Sequence, residues 1–281
     1  METVKIQRFA DRIRLETAKM LSKRGFGHLG GSFSIVETLA VLYGHVMKID
    51  PSNPAWQDRD WFVLSKGHAG PALYATLALK GYVPLSMLDT LNENGTLMPS
   101  HPDRLKTPGV DVTTGSLGQG ISLATGIAKS FKMDGKPNRV FAIVGDGEAN
   151  EGQVWEAFQF AAHQKLSNLL VFIDENHKQL DGLTKDIMNP FDLVMKMEAF
   201  GFACLRVKGD DVDAIYEAIR QLDSIDDQAK CIVLDTVKGQ GDEYFENLFD
   251  NHHIRFSGES KTALTSLIQR LSDKVESEGR Q

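Results

Sequence analysis

Apolar positions along the chain follow two rhythms that take turns. Over residues 4–24 they recur at helical spacing, at Ile6, Phe9, Ile13, Met20 and Leu21, and the pattern stops at Gly25. A second helix is expected over IVETLAVLYGHVM, capped by Ser32 or Ser34 and closed by the turn residues Asp50-Pro51-Ser52-Asn53-Pro54. A short buried strand, Trp61 to Leu64, opens into Ser65-Lys66-Gly67-His68 and the helix PALYATLALKG. Pro84 to Asn92 reads as another short helix, and GTLMPSHPDRLKTPG as irregular. VDVTTG is expected to be a strand that breaks into Gly115-Ser116-Leu117-Gly118-Gln119-Gly120 ahead of the helix ISLATGIAKSFKM. Beyond Gly182 come a helix over Pro190–Phe200, strand ACLRVKG, helix DVDAIYEAIRQLDS, strand KCIVLDTVKG, a polar segment and the final helix KTALTSLIQRLSDKV. Alternating strands and helices, without repeat or linker, predict one α/β domain over residues 1–281 with a mostly parallel sheet flanked by helices.

The centre of the chain is Arg139 to Gly182. The run RVFAIV ends in Gly145-Asp146-Gly147, amphipathic GQVWEAFQFAAHQKL follows, and a second run, NLLVFID, ends in Glu175-Asn176. A strand–helix–strand crossover makes its strands parallel, so both exits open on one sheet edge and Asp146 meets Asn176. One carboxylate and one amide oxygen suit Mg²⁺ or Ca²⁺, hard ions that share their shell with phosphates. The glycines admit a diphosphate to the backbone, beside a helix N-terminus.

Composition narrows the setting. A hydrophobic content of 42% and a charged content of 25% are those of a globular protein, and a net charge of −7 weighs against nucleic acid as a partner. Cys204 and Cys231 lie in apolar strand-like runs and read as buried thiols, which fits a cytoplasmic location. The N-terminal stretch mixes charge throughout, unlike a signal peptide, and no apolar run approaches the ~20 residues that span a bilayer.

Eight histidines occur. His45 and His163 lie within helical patterns and read as packing or surface residues, and His177 as exposed. His28, His68, His101 and His252 sit in Gly- or Pro-rich loops between elements, where loop ends of a parallel sheet converge. Clustered imidazoles suit proton transfer to hydroxyl and carbonyl oxygens near neutral pH, a chemistry that fits a sugar. No HExxH or Walker A pattern is present.

From about residue 10 to residue 256 the sequence resembles the thiamine-diphosphate enzymes, and specifically the N-terminal half of transketolase. The markers are GHLGGSFS, LSKGHAGPALYA, SHPD, TTGSLGQGISLATG, GDGEANEGQVWEA, the Asn176–Gly182 segment and TVKGQG…ENLFDNHH. The resemblance implies the diphosphate-binding fold. It implies a divalent cation on Asp146, Asn176 and the carbonyl of Lys178, with His68, Gly145, Gly147 and His252 around the diphosphate. Gly115, Ser116 and Leu117 would run past the aminopyrimidine and thiazolium, with Leu180 packed on the rings. His28 and His252 would exchange protons with substrate oxygens, and His101 would bond the donor's terminal hydroxyl. Glu151 and Glu156 match glutamates lying between paired active sites.

The chain departs from the family pattern at Leu29 (commonly proline), Asn251 (often tryptophan) and His177 (usually smaller or apolar). Each is expected to reshape the substrate pocket. The chain ends at Gln281, before the family's pyrimidine-binding and C-terminal domains would begin. The resemblance therefore implies the N-terminal subunit of a split transketolase, inactive alone and paired with a C-terminal subunit in an α₂β₂ assembly. The competing readings are the α subunit of a 2-oxo acid dehydrogenase and a non-catalytic cofactor-binding homologue.

Overall fold

The computed structural model describes residues 2–279. In chain order the helices are α1 (Glu2–Arg24), α2 (Leu29–Phe33), α3 (Val36–Val41), α4 (Gly70–Lys80), α5 (Gln119–Met133), α6 (Gly152–His163), α7 (Thr184–Ile187), α8 (Leu193–Ala199), α9 (Val212–Asp223), α10 (Glu243–Asn247) and α11 (Gly258–Gly279). The strands are β1 (Phe26–Gly27), β2 (Trp61–Leu64), β3 (Val140–Gly145), β4 (Leu169–Glu175), β5 (Ala203–Lys208), β6 (Lys230–Asp235) and β7 (Ile254–Arg255). Five of these form a wholly parallel sheet in the order β2-β3-β4-β6-β5, while β1 and β7 pair antiparallel on their own.

The strands are continuously apolar because both faces of the sheet are covered. Alternate residues feed different cores. Phe141, Ile143, Leu170, Phe172, Ile232 and Leu234 join the core under α1, α3, α4, α9 and α11. Val140, Ala142, Val144, Val171, Ile173 and Val233 join the core under α5, α6 and α8. Each fully buried Val, Leu, Ile or Phe among them stabilises the sandwich by about 1.5–3 kcal/mol. β5 is one of the two edge strands, and its residues are accordingly half-exposed or exposed.

Sequence and structure part in five places. VDVTTG forms no strand. Its Val110 and Val112 are buried, but the Asp111 carboxylate takes the edge amide of Phe62 at 2.8 Å and pairs with Arg59 at 2.6 Å. A side chain has thus replaced the backbone ladder, and the Thr114 amide bonds the Pro102 carbonyl instead. The Pro84–Asn92 helix is a 3₁₀ turn over Leu85–Thr90, and the helix after α3 continues as a π turn over Leu42–Val46. The Gly25–Ser32 loop and the polar segment near residue 250 each contain a short helix and a two-residue strand, α2 with β1 and α10 with β7.

Candidate functional site

The carboxyl ends of β2, β3, β4 and β6 open on one edge, and the side chains following them line a cavity of about 530 Å³. Asp146 and Asn176 lie in it together, as the parallel β3–β4 register requires, with Gly145 opposite Asp174. Asp146 Oδ1 accepts the Gly147 amide and Oδ2 the His177 amide, each at 2.8 Å. Burial, then repulsion from Asp174, pushes its pKa up to about 7 against those two donors. Asn176 Oδ1 faces the same space and accepts the Lys178 amide at 3.2 Å. Lys178 turns its side chain away, its ammonium bonding the Glu246 and Leu248 carbonyls at 3.0 and 3.2 Å. The Lys178 charge is thereby held on neighbouring carbonyls while the residue still lines the cavity. His177, at φ +63°, sends its ring outward to within 3.7 Å of Asp235.

Four imidazoles from distant loops converge on the opposite wall. The His28 ring lies 5.7 Å from those of His68 and His101 and 5.2 Å from that of His252, and His68 is 4.8 Å from His252. The β1–β7 pairing, Phe26 with Arg255 and Gly27 with Ile254, is what brings the first and last of these loops together. Gly31 must be glycine here: a Cβ would sit 2.6 Å from His68 Nε2. Burial holds His28 at about pKa 4, with His253, His101 and Lys238 adding to it. His252 is held at about 3 by burial, then by Lys238 and the neighbouring imidazoles. Burial also lowers His101 and carries His68 well below the usual range. Neutral rings of this kind accept a proton from a hydroxyl only transiently, or donate one through their N–H.

Every sequence-predicted site residue except Ser116 lines this cavity or contributes backbone to it. Gly115, Leu117 and Leu180 line it beside the glycines, whereas Ser116 is exposed on the loop between the first two. Glu151 is at the rim, and Glu156 is exposed on α6. The departures behave differently from one another. Asn251 is buried and clamps the Lys238 and Phe245 carbonyls at 2.7 and 2.8 Å, and Leu29 is fully buried, so both act on packing.

Several participants escaped the sequence reading. Lys238 reaches the Lys178 and Gln179 carbonyls, each at 3.3 Å, and His252 Nδ1 at 3.0 Å. Burial, reinforced by Lys66, lowers its pKa to about 8. His253 stands 4.7 Å from the His28 ring. Glu148, 2% exposed, accepts Ser65 Oγ at 2.6 Å, the Gly118 amide at 2.9 Å and the Gly145 amide at 3.1 Å. It ties three loops of the site together. The legible signal was a charge within three residues of the end of an apolar strand, as at Lys66, Glu148, Asp174 and Lys238.

The residues fit a cation-bound diphosphate. Asp146 and Asn176 offer hard oxygen donors, and Gly147 leaves a gap where a Cβ would strike Gln179 Cβ at 2.9 Å. Gln179 Oε1, at the cavity lining, is buried without a partner among the described residues, an acceptor available to a ligand N–H.

A family model described as transketolase, thiamine diphosphate binding domain, matches residues 5–265. The 6-deoxy-6-sulfo-D-fructose transketolase subunit of Clostridium sp. (strain MSTE9) is 46% identical over 270 residues, 96% of this chain and 98% of its own. An apulose-4-phosphate transketolase subunit of Phocaeicola vulgatus is 34% identical over 279 residues, 99% of this chain and 98% of its own. Among solved structures, a transketolase from Campylobacter jejuni superposes with a TM-score of 0.84 at 28% identity, over 98% of this chain and 48% of that one. One from Leishmania mexicana superposes with a TM-score of 0.80 at 29% identity, over 98% of this chain and 46% of that one. The chain spans about half the length of the solved transketolases it matches.

Proposed function

The chain belongs to the transketolase family, and from that premise we propose that it is the N-terminal subunit of a split transketolase, transferring a two-carbon ketol unit from a ketose to an aldose. The observation that carries this reading is the convergence of His28, His68, His101 and His252 on the wall facing Asp146 and Asn176. A decarboxylating site of the 2-oxo acid dehydrogenase type needs fewer hydroxyl contacts. In support of a split enzyme, both relatives that the chain matches nearly end to end are named as subunits.

In this reading Asp146, Asn176 and the Lys178 carbonyl hold Mg²⁺ on the diphosphate of the cofactor, and His68, Gly147, His252 and Lys238 surround the remaining oxygens. When bound, thiamine diphosphate supplies the nucleophilic carbon and the electron sink for cleavage between C2 and C3 of the donor. The chain's own part is to orient the donor and move its protons. His28 and His252 exchange protons with substrate oxygens, and His101 bonds the terminal hydroxyl. Leu117 and Leu180, 38% and 64% exposed, form an apolar rim on which the cofactor rings and the partner close. The partner is a C-terminal subunit bearing the pyrimidine-binding domain, in an α₂β₂ assembly in the cytoplasm. The 46% relative acts, by its name, on a sulfonated ketose, so we take a ketose with an anionic terminal group as the donor class.

Reconstitution tests this. The purified pair, with thiamine diphosphate and Mg²⁺, should transfer ketol units from 6-deoxy-6-sulfo-D-fructose or xylulose 5-phosphate to an aldose, and the chain alone should not. Normal turnover by the chain alone would sink the split reading, and turnover of pyruvate in place of ketoses would sink the transketolase one.

A further inference from the structure

Asp174 is the penultimate residue of β4, two residues before Asn176, and it is fully buried together with Lys66, the cation it pairs with. Its Oδ2 accepts Ser34 Oγ at 2.7 Å, Asn176 Nδ2 at 2.8 Å and the Lys66 ammonium, and its Oδ1 accepts Thr236 Oγ1 at 2.5 Å. Its backbone carbonyl accepts the Asp146 amide at 3.1 Å. One residue therefore touches both cation-ligand candidates, Asn176 by its side chain and Asp146 by its main chain.

An ionised carboxylate can only accept hydrogen bonds, whereas an amide offers a donor end and an acceptor end. Because Asp174 holds the –NH₂ of Asn176, the amide oxygen is forced to the opposite side, into the cavity beside Asp146. Oxygen and nitrogen are similar in size, so sterics do not choose the orientation; the Lys178 amide, donating to Oδ1 at 3.2 Å, favours it, and the shorter, charge-assisted bond to Asp174 at 2.8 Å is the stronger restraint. Lys66 and the two hydroxyls keep the carboxylate an acceptor and fix its plane. We propose that Asp174, held by Lys66, is a positioning residue that aims the Asn176 oxygen at the divalent cation and so sets the cation-dependent part of thiamine diphosphate affinity. The inference rests on the proposed roles of Asp146 and Asn176.

Asp174→Asn tests it, since an asparagine at 174 can donate and lets the Asn176 amide turn over. Because that change strands the buried Lys66 charge, the double variant Asp174→Asn/Lys66→Met is measured beside it. Thiamine diphosphate binding to the full chain is followed by calorimetry with Mg²⁺ and with chelator, alongside thermal melts without ligand. The wild type should bind more tightly with Mg²⁺. The double variant should melt cooperatively, keep its affinity in chelator and lose roughly 10- to 100-fold of the Mg²⁺-dependent gain. Ser34→Ala, which strips a different donor from the same oxygen, should keep that gain.

Several results would overturn the proposal. A folded double variant with the full Mg²⁺ gain, or with equal losses in Mg²⁺ and in chelator, removes the positioning role. Failure of both 174 variants to fold makes the pair a folding element only. A wild type indifferent to Mg²⁺ shows instead that the cation site itself is misread, and the positioning role falls with it.

Discussion

Glu148 follows the Gly145-Asp146-Gly147 turn, and its replacement by glutamine isolates what a buried carboxylate contributes to this site. Three donors meet it, Ser65 Oγ and the Gly118 amide on Oε1 and the Gly145 amide on Oε2. Glutamine keeps an oxygen for one side only. Its better orientation keeps the Ser65 and Gly118 bonds and turns Nε2 at the Gly145 amide, so two buried N–H groups face each other. Each unsatisfied buried donor costs ~1–3 kcal/mol, and release of the desolvated charge offsets part of the sum. The expected net loss is about 2 kcal/mol, a roughly 30-fold fall in the folded-to-unfolded ratio. For a chain of this size that lowers the melting temperature by roughly 3–4 °C. Guanidinium titrations at pH 7, read by circular dichroism and fluorescence, should show a lower midpoint at unchanged slope. The coupling with Ser65→Ala should exceed roughly 0.5 kcal/mol in a double-mutant cycle. Burial raises the Glu148 pKa above its ordinary 4.5. A raised folded-state pKa adds stability below the ordinary value and loses it as pH rises through the raised one. The lead of the wild type over Glu148→Gln should therefore narrow between pH 4.5 and the raised pKa. A midpoint shift near zero at pH 7, or a lead that widens with pH, would refute the reasoning.

Asp146→Ala should weaken thiamine diphosphate binding in Mg²⁺ titrations of the reconstituted pair by more than roughly 100-fold, the upper range of outer-shell losses; unchanged binding would contradict the cation assignment. His101→Ala should keep cofactor affinity and lower kcat/KM for the donor ketose by about 10- to 100-fold, the worth of one hydrogen bond to a polar substrate. Gly67→Ala puts a Cβ 2.8 Å from the Gly115 amide nitrogen and 2.9 Å from Thr114 Oγ1, so two loops of the site must part. It should cost about 1–3 kcal/mol in denaturant titrations and loosen the cofactor as well. His253→Gly should leave cofactor binding intact and raise KM for the donor, because its ring stands against His28 at the mouth of the site; an unchanged KM would remove it from the pocket.

Local period and short-range pairing were written in the chain, and so was everything that depends on them alone. Continuous apolar runs ending in Gly145-Asp146-Gly147 and Glu175-Asn176 can only be parallel strands buried on both faces, and parallel register then puts Asp146 beside Asn176. The four loop histidines were legible for the same reason, since each follows or precedes an element whose end was marked by glycine or proline. What the tertiary structure alone decided is which polar groups answer one another across the sheet edge. Asp174 with Lys66 and Glu148 with Ser65 are separated by 108 and 83 residues, and no local spacing couples them. The same holds where a side chain displaced a strand, as Asp111 did on the Phe62 amide. Backbone periodicity is encoded within a few neighbours, whereas a buried charge finds its partner only once the chain has folded and water has left. The first can be read along the chain; the second exists only in the fold.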